Sequence, residues 1–398
     1  MNITGYELKQ LGDQIERATV GHVGPMAERY VSTGIPFLRS QNIKPNAVSF
    51  TDVKFIDEKF HSELKKSSLK AGDVAIVRTG YPGTAAVVTA EMLPMNCADL
   101  VIITPGEKVD SRYLASLLNS SFGKALVTGN TVGAAQQHFN VTTAKQIKLP
   151  LPPPCIQRKI AAILTAYDDL IENNRQRIAL LEKMAEEIYR EWFVRLRFPG
   201  HEHTPVHRGV PEGWSTSPIE AVANRHKFGR LYKEIDLGES GQTVVIDQSV
   251  KPYLGFHNNE PDHSATLAEP KILFGDHSCK FTLMIEPFSV AENVIPFSAN
   301  DPLSSYYLFF AVKGQVETTE YKRHWTSLVK KEIYWPTEDH RRGFAEYLLP
   351  NVELARSLEL QSRHLRRTRD LLLNRLISGK LRVDKLDIQF PPSMQEAD

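Results

Sequence analysis

No apolar run in this chain of 398 residues approaches the roughly 18 residues a membrane-spanning helix needs. The N-terminus, MNITGYELKQLGDQ, has neither an apolar core segment nor an Arg-rich amphipathic pattern, so no export signal is expected. Cysteine is scarce. Cys97, Cys155 and Cys279 are odd in number and far apart, which argues against a disulfide framework or a zinc site and for reduced thiols in a cytoplasm. Net charge is nearly absent, with 48 basic against 47 acidic residues, so charge neither announces nor excludes a nucleic-acid partner. Catalytic signatures are missing as well: there is no HExxH, no GxSxG and no Walker pattern, and Gly80 and Gly83 read as turn formers rather than a phosphate loop. The Asn- or Asp-Pro-Pro-aromatic run that holds a flipped base in amino-methyltransferases does not occur. His201, His203 and His207 cluster in a polar linker and read as exposed loop, so no metal ligand and no catalytic residue is assigned.

What the chain does have is one long periodic stretch, Ile156 to Leu196. Stepping by four and three gives Ile160, Leu164, Tyr167, Ile171, Asn174, Ile178, Leu181, Ala185, Ile188 and Trp192, uninterrupted by Pro or Gly. A mainly apolar seam of period 3.5 over about five heptads predicts a helix on the order of 60 Å long that needs a partner along its seam. The same stepping recurs at Phe344, Leu348, Asn351, Ala355, Leu358, Ser362, Leu365, Arg369, Leu372 and Leu376, with Pro350 marking a kink or a late helix start. Gln157–Leu164 (QRKIAAIL) aligns with Arg341–Leu348 (RRGFAEYL) at an offset of 184, and a strand-like segment precedes each, QIKLPLP and EIYWPTE. Paired acids such as Asp168 and Asp169 are expected on the outer, solvated face. A repeat over half of the chain organises everything else.

The remaining segments follow this twofold plan. Before the first helix, Gly5–Ile15 reads as a short strand and helical turn, Gly34–Ile43 as a strand, and Lys59–Ser67 as helical. Leu69–Thr89 reads as a hairpin with a Gly-Asp turn, Leu100–Thr104 as a strand, Ser111–Ser120 as a helix, and Gly129–Asn140 as a polar loop. Leu149–Pro154 (LPLPPP) is expected to break secondary structure ahead of the long helix. In the second half Gly213, Trp214 and Ile219 repeat Gly5, Tyr6 and Leu11 at an offset of 208. There, Thr243–Ile246 and Ser289–Phe297 read as strands, Lys271–Phe281 as a second Gly-Asp turn and Ser304–Val312 as a helix. Pro199–Pro211 is expected to be a boundary rather than an element, and Asp387–Asp398 a frayed tail. The expected domains are residues 1–150, a helix over 151–198, a second domain over 199–336, a second helix over 337–382, and a tail over 383–398.

This arrangement resembles the specificity (S) subunits of type I restriction–modification systems over nearly the whole chain. The resemblance is carried by GIPFLRSQNI, LKAGDVAIVRTG, QQHFN, LPLPPPCIQRKIAAIL with its helix, and RLISGKL closing the second helix, in that order. It implies an α+β fold of two mixed α/β target-recognition domains separated by two long antiparallel coiled-coil helices in a pseudo-twofold repeat. The second half departs from the first, with LFGDHSCKF where the first has GDVAIVRTG, and this puts the target in doubt rather than the function. The implied function is non-catalytic, sequence-specific reading of a bipartite duplex. The implied partners are double-stranded DNA, two methyltransferase subunits and restriction–translocase subunits, with S-adenosylmethionine, ATP and Mg held by those partners and no cofactor on this chain. The alternative is a coiled-coil scaffold, or a stand-alone relative without enzyme partners.

A reader of DNA sets side chains on base edges and steadies itself on phosphates, with Arg suited to guanine and Asn or Gln to adenine. The first domain's loops offer Arg39, Gln41, Asn42, Arg78, Thr79, Gln136, Gln137 and His138. The second domain's offer Lys227, Arg230, His257, Asn258, His277, Lys280, Lys322, Arg323 and His324.

Overall fold

The computed structural model describes residues 6–129, 139–249, 251–318 and 323–394. It divides into two units, one formed by the stretch up to Arg175 together with Leu360 onward, the other by Gln176–Glu359. The chain mixes helix and sheet, as expected.

In the first unit a four-stranded antiparallel sheet has the order Ile15–Val20, Leu100–Pro105, Val74–Val77, Ala85–Val87. Its central strands are apolar without alternation because both faces are covered. Val74, Ile76, Val101 and Ile103 face the core that includes helix Ser111–Asn119, whereas Ala75, Val77, Leu100 and Ile102 face a second core on the other side. That second core includes Leu38, from a smaller sheet of Lys54–Ile56, Ile35–Leu38 and Asn96–Cys97.

The second unit repeats this plan. Ala223–Arg225, Val294–Ala299, Lys271–Gly275 and Phe281–Met284 form an antiparallel sheet in the same order. The smaller sheets match too. Ile35–Leu38 lies parallel to Asn96–Cys97 and antiparallel to Lys54–Ile56, while Thr243–Ile246 lies parallel to Phe288–Ala291 and antiparallel to Gly255–His257. Ser289–Phe297, expected as one strand, is two strands in different sheets, broken at Asn293 with φ +63°. The first unit breaks at the equivalent place, where Asp99 has φ +50°. The two Gly-Asp pairs are not equivalent: Gly72-Asp73 precedes the strand Val74–Val77, and Gly275-Asp276 ends the strand Lys271–Gly275.

The agreement extends to single hydrogen bonds. Leu8–Gln10 pairs antiparallel with Lys148–Pro150, and Ser215–Pro218 with Glu332–Trp335, in a register preserved by the offsets 208 and 184. LPLPPP therefore begins as a strand and becomes the start of the helix at Pro154, where proline's missing N–H costs nothing. The Tyr113 hydroxyl donates to the Pro150 carbonyl at 2.8 Å, as Tyr307 does to Tyr334 at 2.5 Å. Buried Gln157 donates from Nε2 to the Pro152 carbonyl at 2.8 Å, and buried Arg341 donates from Nη1 to the Pro336 carbonyl.

The long helices are Pro154–Tyr189, continued by a π-helical turn over Arg190–Val194, and Glu338–Ile377. The second helix neither starts late nor stops at Pro350, which lies inside it on the exposed side. Every residue of both seams is buried or half-buried, and between Ile171 and Ile178 the other positions are all exposed apart from Asn174, itself a seam residue. In the first unit Ile156, Ile160 and Leu164 share a core with Leu373, Leu376 and Ile377, so the helices run antiparallel there. In the second unit Tyr189 and Trp192 pack on Phe344, with ring centroids 6.2 and 5.8 Å away.

Three expectations are corrected by packing. Asp168 is not solvated: its side chain is 24 % exposed and pairs with the seam residue Arg369. Burial pushes the Asp168 carboxyl up, against the pull of Arg369 and a hydrogen bond from Asn46. The linker is structured, with a two-stranded ribbon of Val206–His207 and Val210–Pro211, and with Phe198 buried between Trp214 and His340 at 5.3 and 4.3 Å. Among the described residues the tail is docked rather than frayed, residues 395–398 lying outside them. Val383 is buried, Lys159 Nζ donates to the carbonyls of Asp384 and Leu386 at 3.1 and 2.7 Å, and Ser393 Oγ donates to Asp169 at 2.6 Å.

Asp73 explains the GDVAIV motif. Its fully buried carboxylate accepts from Arg17 at 2.6 Å, from the Lys70 N–H at 2.8 Å and from Thr104 Oγ1 at 2.5 Å. Removing one partner of a buried pair strands the others, so Asp73→Ala is expected to cost the first unit about 3 kcal/mol, read as a lower denaturant midpoint with an unchanged slope.

Candidate nucleic-acid interface

The expected base-reading residues sit where short strands end. In the first unit Arg39 and Gln41 follow Ile35–Leu38, and Arg78 and Thr79 follow Val74–Val77. Two links bring these loops together: the Ala98 N–H donates to the Leu38 carbonyl at 2.9 Å, and Arg78 Nη1 donates to Asp99 Oδ1 at 2.5 Å. The Phe139 N–H donates to the Arg78 carbonyl at 3.1 Å, so the segment leading to Asn140 meets the same loop. Gln136, Gln137 and His138 lie outside the described residues.

Both arginines are held by carboxylates. Arg39 Nη2 donates to the Asp52 carbonyl at 2.6 Å and reaches its carboxylate at 3.4 Å, while Gln41 Nε2 donates to Asp52 Oδ2 at 2.9 Å. Gln41, Lys54 and Arg39 together hold the Asp52 carboxyl below the usual range. The arginine side chains stay 25 and 21 % exposed, so each keeps donors for a base edge while its own protein fixes its direction. Asn42 is a correction. It is fully buried, accepts from the Arg39 N–H at 3.1 Å and donates to the carbonyls of Ser49 and Thr51 at 2.9 and 3.2 Å, so it shapes the loop and reaches no base.

In the second unit the residues form two groups rather than one. His277 follows Lys271–Gly275 and its N–H donates to Gln248 Oε1 at 3.1 Å. Asp276 accepts from the N–H groups of His324 and Trp325 at 2.9 and 2.8 Å. These loops correspond to those carrying Arg39, Arg78 and Phe139. His257 and Asn258 sit instead at the Thr243 end of the strand Thr243–Ile246, roughly 10 Å along it from the Ile246 end that leads to Gln248. Arg230 belongs with them, its guanidinium 5.0 Å over Tyr232, which stacks on His257 at 4.1 Å.

Burial removes two more residues from the list and backbone hydrogen bonding a third. His257 is 7 % and His324 3 % exposed, and the Nε2 of each is shut away from any ligand. Desolvation lowers the His257 pKa, against Asp262. Lys280 Nζ is spent on the carbonyls of Ser249 and Lys251 at 2.6 and 2.7 Å, and burial lowers its pKa. Lys227, Arg230, Asn258 and Arg323 remain exposed, His277 half-exposed, and Lys322 lies outside the described residues. Sequence reasoning missed Asp52 and Asp99, which orient the arginines, and Gln248; only the strand ends would have signalled them.

Among the described residues no group of three or more His, Cys, Asp or Glu could hold a metal ion, and no helix is long and apolar enough to cross a membrane. The three cysteines are free.

Comparison with known proteins accords with this arrangement. Residues 5–183 match the family model described as a type I restriction modification DNA specificity domain. The type I restriction enzyme MjaIX specificity subunit of Methanocaldococcus jannaschii is 24% identical over 311 residues, covering 71% of this chain and 72% of its own. A putative MjaX specificity subunit of the same organism is 21% identical over 411 residues, covering 95% of this chain and 94% of its own. The crystal structure of a type I restriction–modification S subunit from M. genitalium shares the fold, with a TM-score of 0.55 at 12% identity over 95% of this chain and 97% of the other. Residues 5–183 thus match a type I restriction modification DNA specificity domain, and the chain is similar over most of its length to type I specificity subunits.

Proposed function

We propose that this chain is a specificity subunit, the non-catalytic DNA-recognition component of a type I restriction–modification system, and reads a bipartite duplex with one half-site for each repeat. The supporting observation is the recurrence of one topology, in which corresponding strands end in loops bearing Arg39, Gln41 and Arg78 in one unit and Gln248 and His277 in the other. On this reading the two long helices form an antiparallel coiled coil that separates the recognition domains. Their outer faces dock two methyltransferase subunits, and restriction–translocase subunits join the larger assembly. Leu170, Leu180, Met184, Tyr347, Leu354 and Leu371 supply apolar contact there, being 40 to 61 % exposed. S-adenosylmethionine, ATP and Mg belong to those partners, and the assembly works in the cytoplasm.

Methylome sequencing of a host carrying this chain with its methyltransferase tests the reading. A two-part methylated motif separated by unread bases is expected. Salt-dependent binding without defined half-sites would favour a scaffold instead.

Arg78 gives a sharper test. Arg78→Ala is expected to weaken target binding by roughly 1–3 kcal/mol and to relax one base position of one half-site. A uniform loss across all sequences would make Arg78 a phosphate contact. Arg39→Ala is read in the same assay.

A further inference from the structure

The proposed reading leaves one prominent side chain unused, Tyr81. It is 80 % exposed, the most exposed aromatic among the described residues, and it stands at the tip of the hairpin joining Val74–Val77 to Ala85–Val87. Its loop is held firmly. The Gly83 N–H donates to the Val77 carbonyl at 3.0 Å, the Val77 N–H to the Thr84 carbonyl at 2.9 Å, and Thr84 Oγ1 to the Tyr81 carbonyl at 2.9 Å. Gly80 and Gly83 adopt φ +82° and +87°, and a Cβ on Gly83 would lie 2.8 Å from Val127. The ring is therefore carried outward by a fixed turn, two residues beyond the carbonyl of Thr79 and three beyond Arg78.

Resting on the DNA-reading function above, we propose that Tyr81 enters the base stack of the first unit's half-site and is a specificity-determining residue. Arg78 fixes the register of the hairpin on the duplex, and the ring next to it supplies an aromatic face. Proteins that kink or unstack DNA use side chains of this kind, and an aromatic face is also what a displaced base stacks on. The cost of opening a step depends on its sequence and is lowest at pyrimidine–purine steps, so the wedge selects bases without hydrogen bonding to them. The second unit has no counterpart, because the equivalent turn carries Asp276, His277 and Ser278. The distortion belongs to one half-site only.

The test uses the full chain assembled with its methyltransferase on its own target, with 2-aminopurine placed at successive positions of both half-sites. Fluorescence is expected to change at one step of the first half-site, away from the methylated base. That change is lost in Tyr81→Ala together with about a ten-fold loss of affinity, and both are kept in Tyr81→Phe. Unaltered affinity and fluorescence in Tyr81→Ala, while the wild-type complex binds normally, overturns the wedge and leaves the DNA-reading function standing. Weaker capture of the methyltransferase with unaltered DNA affinity also overturns it, assigning the ring to a protein contact. A wild-type complex that binds no defined sequence sinks the proposal and the function together.

Discussion

A chain whose residues 12–146 come from another specificity subunit is expected to recognise a target changed in one half only. The first recognition fold closes on itself: its four-stranded sheet, its smaller sheet and the cores on both faces are built from residues 11–164 with the end of the second helix and Val383 beyond it. The cut points leave in place Leu8–Gln10 and Lys148–Pro150, the strand pair through which the domain leaves for the long helix. The donor must bring an equivalent of Tyr113, whose hydroxyl holds Pro150, and of the carbonyl and N–H groups that hold Gln157. With these kept, the native first half-site should lose on the order of a thousand-fold in preference while the second half-site is read as before. Methylome sequencing reads the outcome directly. Simultaneous change of both halves would show that the units do not read independently.

The elements of this fold were legible where burial is one-sided and periodic. Seams spaced four and three gave both long helices, because a helix covered along one stripe must repeat its apolar residues at that period. The offsets 184 and 208 placed the exit strands correctly, since their register survives in the backbone pairing. Prediction failed where one local signal fits two structures. Ser289–Phe297 is apolar throughout, and only the left-handed Asn293 splits it between sheets. Pro350 looks like a helix breaker, yet on a solvated face it costs one hydrogen bond in a helix fixed by packing on either side. The tail is polar and short, and its docking depends on Asp169 and Lys159, more than 220 residues away.

The interface was less legible than the fold, for a definite reason. Polar residue types mark a loop, but they do not say whether a side chain turns to solvent or back to the backbone. Asn42, His324 and Lys280 turn back, satisfying or burying polar atoms that would otherwise destabilise the loops. Arg39 and Arg78 stay partly exposed, held by Asp52 and Asp99. The distinction lies in partners distant in sequence.

Lengthening both long helices by four residues, after Ala179 in the first and near Ser357 in the second, is expected to lengthen the preferred spacer by about two base pairs. Four residues add about 6 Å at 1.5 Å per residue, and base pairs rise about 3.4 Å each. Insertion in both helices is required because their register is pinned within each unit. Arg369 on one seam pairs with Asp168, which also accepts from Asn46 at 3.2 Å and so ties the recognition fold to the helices. Six residues on, the seam residue Asn174 is buried, as is Ser362 on the other seam, and buried polar residues in seams of mainly apolar layers disfavour slippage. In the second unit Arg356 meets Glu286 of the recognition fold at 3.1 Å. With these anchors intact, a matched insertion leaves each domain fixed to its own stretch of helix and changes only the length between them. Affinity for the original target should fall roughly a hundred-fold, as losing register with several base pairs would, and return on a duplex with the longer spacer. A variant that folds, binds and keeps its original spacer would show that the helices carry the domains without measuring the distance between half-sites.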